Sequence, residues 1–205
     1  MSRYALIVLI LLLALSGVAA AQPTRPEEGA KKTIICHRTQ AGKKPYVRIT
    51  VATRAGLKGH RRHAADIVPA PSGGCPTRRL TPSEGGQALS ATLTGLAEVP
   101  GPGDPDGTGS ATVRLRLGEG RLCFQLSAAG ITLPASAAHV HEGAAGVAGP
   151  IVAGLAPPDA SGSSSGCVPV FRALVAAILT NPAGYYLNVH TADLPAGAIR
   201  GQLSP

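Results

Sequence analysis

The segment ATVRLRLGEGRLCFQL, residues 111–126, decides the fold of the second half of the chain. Its apolar and polar side chains alternate on both sides of the short Gly118-Glu119-Gly120 segment. Because successive side chains of a β-strand point to opposite faces, the alternation predicts two strands with one face in a core. The glycine-containing turn between them predicts an antiparallel hairpin. The apolar face comprises Ala111, Val113, Leu115, Leu117, Leu122, Phe124 and Leu126.

The same period of two extends through the rest of residues 88–205. Strands are predicted at 88–94, 138–141, 151–155, 167–170, 185–191 and 198–203. Arg172 to Thr180 is rich in Ala, Leu and Ile and predicts one short helix, which Asn181-Pro182 ends. Residues 157–166 are rich in serine and glycine and are expected to form a mobile loop. The pattern predicts an all-β fold, an antiparallel β-sandwich with one short helix.

The first 21 residues are typical of a signal peptide. Arg3 supplies a positive charge, residues 4–15 are apolar, and Ala19-Ala20-Ala21 offers a cleavage site after Ala21. No later apolar stretch reaches the length of a membrane-spanning helix, so none is expected after cleavage. The sequence therefore predicts a secreted or extracytoplasmic protein, in the periplasm or at the cell surface.

Four cysteines in an exported chain indicate two disulfide bonds. Three pairings are open from the sequence. We favour Cys36–Cys75 with Cys123–Cys167, because each pair then stays within one compositional region.

The positive charge of the chain is confined to its N-terminal part. Residues 22–85 carry 13 Lys or Arg against 4 Asp or Glu, whereas residues 86–205 carry 5 against 7. With the cysteine spacing, this division predicts five regions: a signal peptide (1–21), a disordered leader (22–32), a small basic disulfide-stapled N-terminal module (33–76), a linker (77–87) and the sandwich domain (88–205).

The basic module determines which partners are expected. Its charge favours anionic envelope polymers or other anionic extracellular ligands, and the alternative is a surface that is merely well hydrated. Aromatic residues make up 3% of the chain, which leaves few rings to stack on bases, so specific nucleic-acid binding is not expected. The sequence leaves the oligomeric state open.

Three histidines of the predicted sandwich form the first candidate metal site. His139 and His141 are two residues apart, which places both imidazoles on one face of a strand, and His190 lies in another predicted strand. Three neutral imidazoles suit Cu(II) or Zn(II) as a cofactor. The alternative is a structural role, in which the rings bond to neighbouring backbone groups at the sheet edge.

A second candidate site lies in the basic module. His60 and His63 are three residues apart, as on one face of a helical turn, and Asp66 follows after another three. His37 joins them only if the Cys36–Cys75 disulfide brings it inward. The neighbouring Arg61 and Arg62 oppose cation binding here, and the alternative is a basic, solvated surface.

Residues 88–203 contain five ordered motifs, which are ATLTGLAEVP (91–100), AHVHEGAAG (138–146), GPIV (149–152), YLNVHT (186–191) and PAGAIRGQL (195–203). With these motifs the segment resembles the CHRD domain, which is named after chordin and also occurs in secreted microbial proteins. The resemblance implies an extracellular β-sandwich without a defined activity.

The N-terminal module resembles a segment that precedes such domains in secreted bacterial proteins. That resemblance rests on ICHRT (35–39), on Gly59-His60 with His63 and Asp66, and on the PAP sequence at 69–71. It implies no function.

The histidine pattern is also distantly similar to copper–zinc superoxide dismutase, another sandwich. The resemblance implies that His139, His141 and His190 bind copper and that Arg200 lies at the rim of the site. A bridging histidine and a His/Asp cluster for zinc have no counterparts in the sequence, so dismutase activity is not expected. Nucleophile and paired-carboxylate motifs were not found either. The sequence favours a non-catalytic exported binding or structural protein of the cell envelope or extracellular space. The alternative is a protein that binds Cu or Zn at the three-histidine site of the sandwich, with redox activity as a further option.

Overall fold

The computed structural model of the protein describes residues 31–53, 56–80 and 86–205. The predicted signal peptide and nearly all of the predicted leader lie outside the described residues. Part of the predicted linker, residues 81–85, lies outside them as well.

The N-terminal part consists of a hairpin followed by a short helix. Strands β1 (Lys32–Arg38) and β2 (Tyr46–Ala52) are antiparallel, with Ile35 opposite Ile49. Helix α1 (Gly56–Arg62) follows. A backbone bridge joins Cys36 to Ile67, and the predicted Cys36–Cys75 disulfide closes the unit. The chain after the helix is therefore fastened to β1.

The remaining strands form one antiparallel sheet in the order β7-β6-β9-β10-β3-β4-β5-β8. The first and last strands of this order also contact each other, so the sheet is nearly closed. The predicted all-β antiparallel fold with a short helix is confirmed. The elements are β3 (Gln87–Thr94), β4 (Thr108–Arg116), β5 (Arg121–Ala129), β6 (Ala137–Glu142), β7 (Ile151–Leu155), β8 (Ser163–Pro169), α2 (Arg172–Thr180), β9 (Tyr185–His190) and β10 (Ile199–Gln202), with 3₁₀ turns at Gly95–Ala97 and Pro182–Gly184.

The core is built by the alternation that the sequence predicts. Every second residue is buried in β4 from Ala111 and in β5 from Leu122, and helix α2 adds Val175, Ala176, Ile178 and Leu179. Burial of large aliphatic side chains contributes about 1.5–3 kcal/mol each. The N-terminal part joins the same apolar cluster through Cys36, Tyr46, Ile67 and Leu80. None of the helices among the described residues is long and apolar enough to cross a membrane.

The prediction of a mobile loop at residues 157–166 is wrong for its last four residues. Residues 163–166 form the beginning of strand β8, which pairs along β5 from Ser163 opposite Ser127 to Pro169 opposite Arg121. Strand pairing uses backbone groups, which serine and glycine supply as well as any residue. The predicted Cys123–Cys167 disulfide joins residues that lie directly opposite in this register, so it holds an edge strand with few apolar side chains.

We expect the double variant Cys123→Ser/Cys167→Ser to lose about 4 kcal/mol of unfolding free energy, because the bond closes a loop with a sequence separation of 44 residues. Urea unfolding without reductant measures the loss. Ser165→Ala, on the same strand, serves as the control and should stay within about 0.5 kcal/mol of wild type. A double variant that is equally close to wild type would contradict the assigned role of the disulfide.

Candidate functional site

Strands β6 and β9 place three histidines on one face of the sheet. In their antiparallel register His139 lies opposite Asn188 and His141 opposite Tyr186. His190 is two residues beyond Asn188, so its side chain belongs to the same face. The intervening residues Val140, Leu187 and Val189 are fully buried in the core. The apolar face therefore fixes the position of the polar one.

The three imidazoles converge. His139 Nδ1 lies 3.1 Å from His190 Nε2, and the centroids of these two rings are 5.0 Å apart. The His141 ring centroid lies 5.7 Å from that of His139 and 6.4 Å from that of His190. One nitrogen from each ring falls within 4.8 Å of the other two. This spacing allows a single ion to contact all three residues.

Backbone carbonyls orient two of the rings. His190 Nδ1 donates to the carbonyl oxygen of Pro195 at 3.0 Å, and His141 Nδ1 donates to that of Gly149 at 2.9 Å. Since a carbonyl only accepts, both Nδ1 atoms carry the proton and both Nε2 atoms present a lone pair. His141 Nε2 is buried and has no hydrogen-bond partner within the described part of the chain. An unpaired buried nitrogen costs free energy that a bound ligand would recover.

Burial favours the neutral form of the His139 and His190 rings. It lowers the pKa of His139, and the nearby His190 and His141 lower it further. Burial likewise lowers the pKa of His190, against the opposing effect of its bond to Pro195. Neutral imidazole is the form that binds metal ions.

Arg200 is buried rather than at the rim of the site. Its side chain is 2% exposed, and its guanidinium lies 3.4 Å above the ring of Tyr186 and donates to the carbonyls of Ala144 and Val147. The Tyr186 ring in turn stacks on His141, with centroids 4.7 Å apart and an interplanar angle of 10°. The resemblance to the dismutase implied that Arg200 lies at the rim of the site, and the observed burial of its side chain does not suit that position. Arg200 instead supports Tyr186 and, through it, His141.

A buried carboxylate beside this face has no counterpart in the sequence analysis. Glu98 is 5% exposed and accepts two bonds from Asn188 Nδ2, at 2.7 and 2.8 Å. Burial raises the pKa of Glu98 to about 7, although the nearby Arg200 lowers it. Gly197 has φ +149°, and a Cβ there would lie 2.5 Å from Glu98 Oε2. The available sequence signal was the position of Glu98 within the ATLTGLAEVP motif (91–100).

The second set of predicted residues also comes together. Potential ligand atoms of His37, His60, His63 and Asp66 all lie within 4.8 Å of one another. The two clusters thus contain all six histidines of the chain. Arg61 and Arg62, which were expected to crowd the second site, line a separate surface groove with Leu57 and Lys58.

Comparison with known proteins identifies one family. The model of the CHRD domain matches residues 89–203. The comparisons with curated proteins and with solved structures give no match. The match contains both strands of the three-histidine cluster and Glu98, whereas the second cluster lies outside it.

We expect Glu98→Gln to remove the part of the pH dependence of the unfolding free energy that comes from the Glu98 carboxyl group. Because the raised pKa means that the folded state binds more protons than the unfolded chain between about pH 4.5 and 7, the unfolding free energy of the wild type falls through this window. The loss attributable to Glu98 is about 3 kcal/mol. Urea unfolding at several pH values, with chelator present, measures it.

His139 and His190 act in the opposite sense, but they are common to both proteins, so the difference between wild type and variant isolates Glu98. Glu119→Gln, at an exposed turn, provides the control. Equal pH slopes in wild type and Glu98→Gln would show that Glu98 is ionised in the fold.

Proposed function

The chain belongs to the CHRD-domain family, and we propose that it is an exported, non-catalytic binding protein that holds Cu(II) or Zn(II) between His139, His141 and His190. The observation that carries the proposal is the convergence of the three rings, one nitrogen of each lying within 4.8 Å of the other two, together with a buried Nε2 of His141 that has no hydrogen-bond partner in the described part of the chain. Two neighbouring features support it: the backbone carbonyls that fix the tautomers of His141 and His190, and the lowered pKa values of His139 and His190.

The donor set determines which ions fit. Three neutral nitrogens suit borderline divalent ions, and a three-ligand site leaves a coordination position free for water or an external ligand. Copper binds nitrogen donors more tightly than zinc, so we expect the higher affinity for Cu(II). The bonds to the Gly149 and Pro195 carbonyls correspond to the outer-shell contacts that orient metal-bound histidines.

A purely structural role accounts for fewer of the observations. A hydrogen bond from His139 Nδ1 to His190 Nε2 satisfies both of these atoms at 3.1 Å. It leaves His141 Nε2 buried without a partner, and the stacking of that ring on Tyr186 does not supply one. A metal ion would satisfy all three nitrogens together.

Export and binding to anionic surfaces complete the proposal. Two disulfide bonds are typical of an oxidising compartment outside the cytosol. Across residues 31–53 and 56–80 the only carboxylate side chain is the buried Asp66, while many cations are exposed. The exposed cations are Lys31, Lys32, Lys43, Lys44, Arg48, Lys58, Arg61, Arg62, Arg78 and Arg79. This surface suits polyanions of the cell envelope, held by charge alone.

We expect His141→Phe to weaken Cu(II) binding at this site by at least about a hundredfold, because phenylalanine retains the stacking on Tyr186 but has no ligand nitrogen. Calorimetric titration of untagged protein, with electron paramagnetic resonance of the bound Cu(II), measures the change. His63→Gln, in the other histidine cluster, is the control and should leave the signal of this site intact. Unchanged Cu(II) affinity and spectrum in His141→Phe would rule out the proposed ligand set.

We expect the protein to be retained on a heparin column and to elute earlier after Lys43→Glu/Lys44→Glu, because the substitution reverses two charges of the basic surface. Retention should fall steeply with salt, since the attraction is screened. Arg114→Glu/Arg121→Glu reverses two exposed charges of the sheet and is the matched control. Retention that is insensitive to salt, or equal shifts in both variants, would contradict a specific role for the N-terminal surface.

A further inference from the structure

One buried carboxylate oxygen lies among three imidazole nitrogens in the N-terminal part. Asp66 is 1% exposed, and its Oδ2 lies 2.7 Å from His60 Nδ1, 3.1 Å from His37 Nδ1 and 3.3 Å from His63 Nδ1. Strand β1 supplies His37, helix α1 supplies His60, and the following turn supplies His63 and Asp66. Four ligand atoms from three segments of the chain therefore meet at one point.

Hydrogen bonding alone explains this arrangement poorly. A carboxylate oxygen has two lone pairs, whereas three Nδ1 atoms lie within bonding reach of Oδ2. In tetrahedral zinc sites with bonds of about 2.0–2.1 Å, neighbouring ligand atoms are about 3.3 Å apart. The observed separations of 2.7–3.3 Å approach that geometry.

We propose that His37, His60, His63 and Asp66 form a zinc site, separate from the three-histidine site of the sheet, that stabilises the N-terminal part. Its four protein ligands fill a tetrahedron, so the site is closed, as structural zinc sites are. The single carboxylate offsets half of the ion's charge in an otherwise basic region. The proposal does not depend on metal binding at His139, His141 and His190.

The ligands are held in place before metal binds. The second oxygen of Asp66, Oδ1, accepts the Arg38 backbone N–H at 2.8 Å, which aims Oδ2 at the histidines. Cys36 and Ile67, which adjoin His37 and Asp66, exchange backbone hydrogen bonds of 3.1 and 3.0 Å. The Cys36–Cys75 disulfide fastens the same strand. Such outer contacts are what fix the geometry of a metal site.

The N-terminal part buries few apolar side chains, so a bound zinc ion would add to its stability. Its buried apolar residues within 31–53 and 56–80 are Ile35, Cys36, Tyr46, Leu57, Ile67 and Leu80. Small units with so few core residues commonly rely on disulfides or a structural metal. Arg172, at the start of α2, donates to the carbonyls of His63 and Gly118 at 2.8 and 2.6 Å. The ligand-bearing turn is thereby tied to the sheet, so zinc should stabilise this junction as well.

The test uses the full mature chain in a His139→Ala/His141→Phe background, which removes the first site. We expect one equivalent of Co(II) to give the intense visible bands of tetrahedral coordination and to be displaced by Zn(II). At a hundredfold excess of Zn(II) over its Kd, the thermal midpoint should rise by at least about 5 °C. His63→Gln and Asp66→Asn should abolish both effects, whereas Lys58→Ala, on the same helix, should keep them.

His63 keeps the test decisive if Asp66→Asn does not fold, because its side chain is 64% exposed and tolerates substitution. A background protein that binds no Co(II) or Zn(II) would overturn the proposal. The same conclusion would follow from tetrahedral Co(II) bands that survive His63→Gln. If only the three-histidine site of the sheet fails to bind metal, the unsubstituted chain should bind one equivalent. That binding should be lost in His63→Gln and retained in His141→Phe.

Discussion

The antiparallel pairing of β6 with β9 is the constraint on which the sheet site depends. Burial of Val140, Leu187 and Val189 fixes the register, because a shift of one residue would move these side chains out of the apolar core and onto the polar face that carries the histidines. The same register leaves His139 and His141 on the face that receives His190. The core therefore determines where the imidazoles lie, and loops then cover that face with the carbonyls that orient two of them. Hydrophobic burial and ligand geometry are two consequences of one strand pairing.

The sequence predicts the elements that rest on local periodicity or composition. Alternation locates β4 and β5, the Asn181-Pro182 pair marks the end of α2, and the grouping of cysteines by region identifies both disulfides. It fails at residues 163–166, because their pairing with β5 comes from backbone hydrogen bonds and a distant cysteine. The serine-rich and glycine-rich composition of residues 163–166 does not reveal these backbone hydrogen bonds.

For the candidate sites, too, the sequence predicts what local geometry determines and misses what contacts between distant segments determine. Two-residue and three-residue spacings bring His139 with His141 and His60 with His63, since the first pair lies in one strand and the second in helix α1 and the turn that follows it. The burial of Arg200 over Tyr186 and of Glu98 beside Asn188 depends on contacts between distant segments, which spacing does not reveal. Both clusters share one design, in which a buried strand or disulfide places the ligands and backbone groups then orient them.

Anomalous X-ray diffraction from crystals of untagged protein beginning at Gln22, grown with Zn(II) and recorded on both sides of the zinc absorption edge, tests the central claim most directly. The account predicts two anomalous peaks, one bonded to His139, His141 and His190 and one bonded to His37, His60, His63 and Asp66. Peaks confined to exposed carboxylates or lattice contacts, with neither histidine cluster bound to zinc, would contradict it.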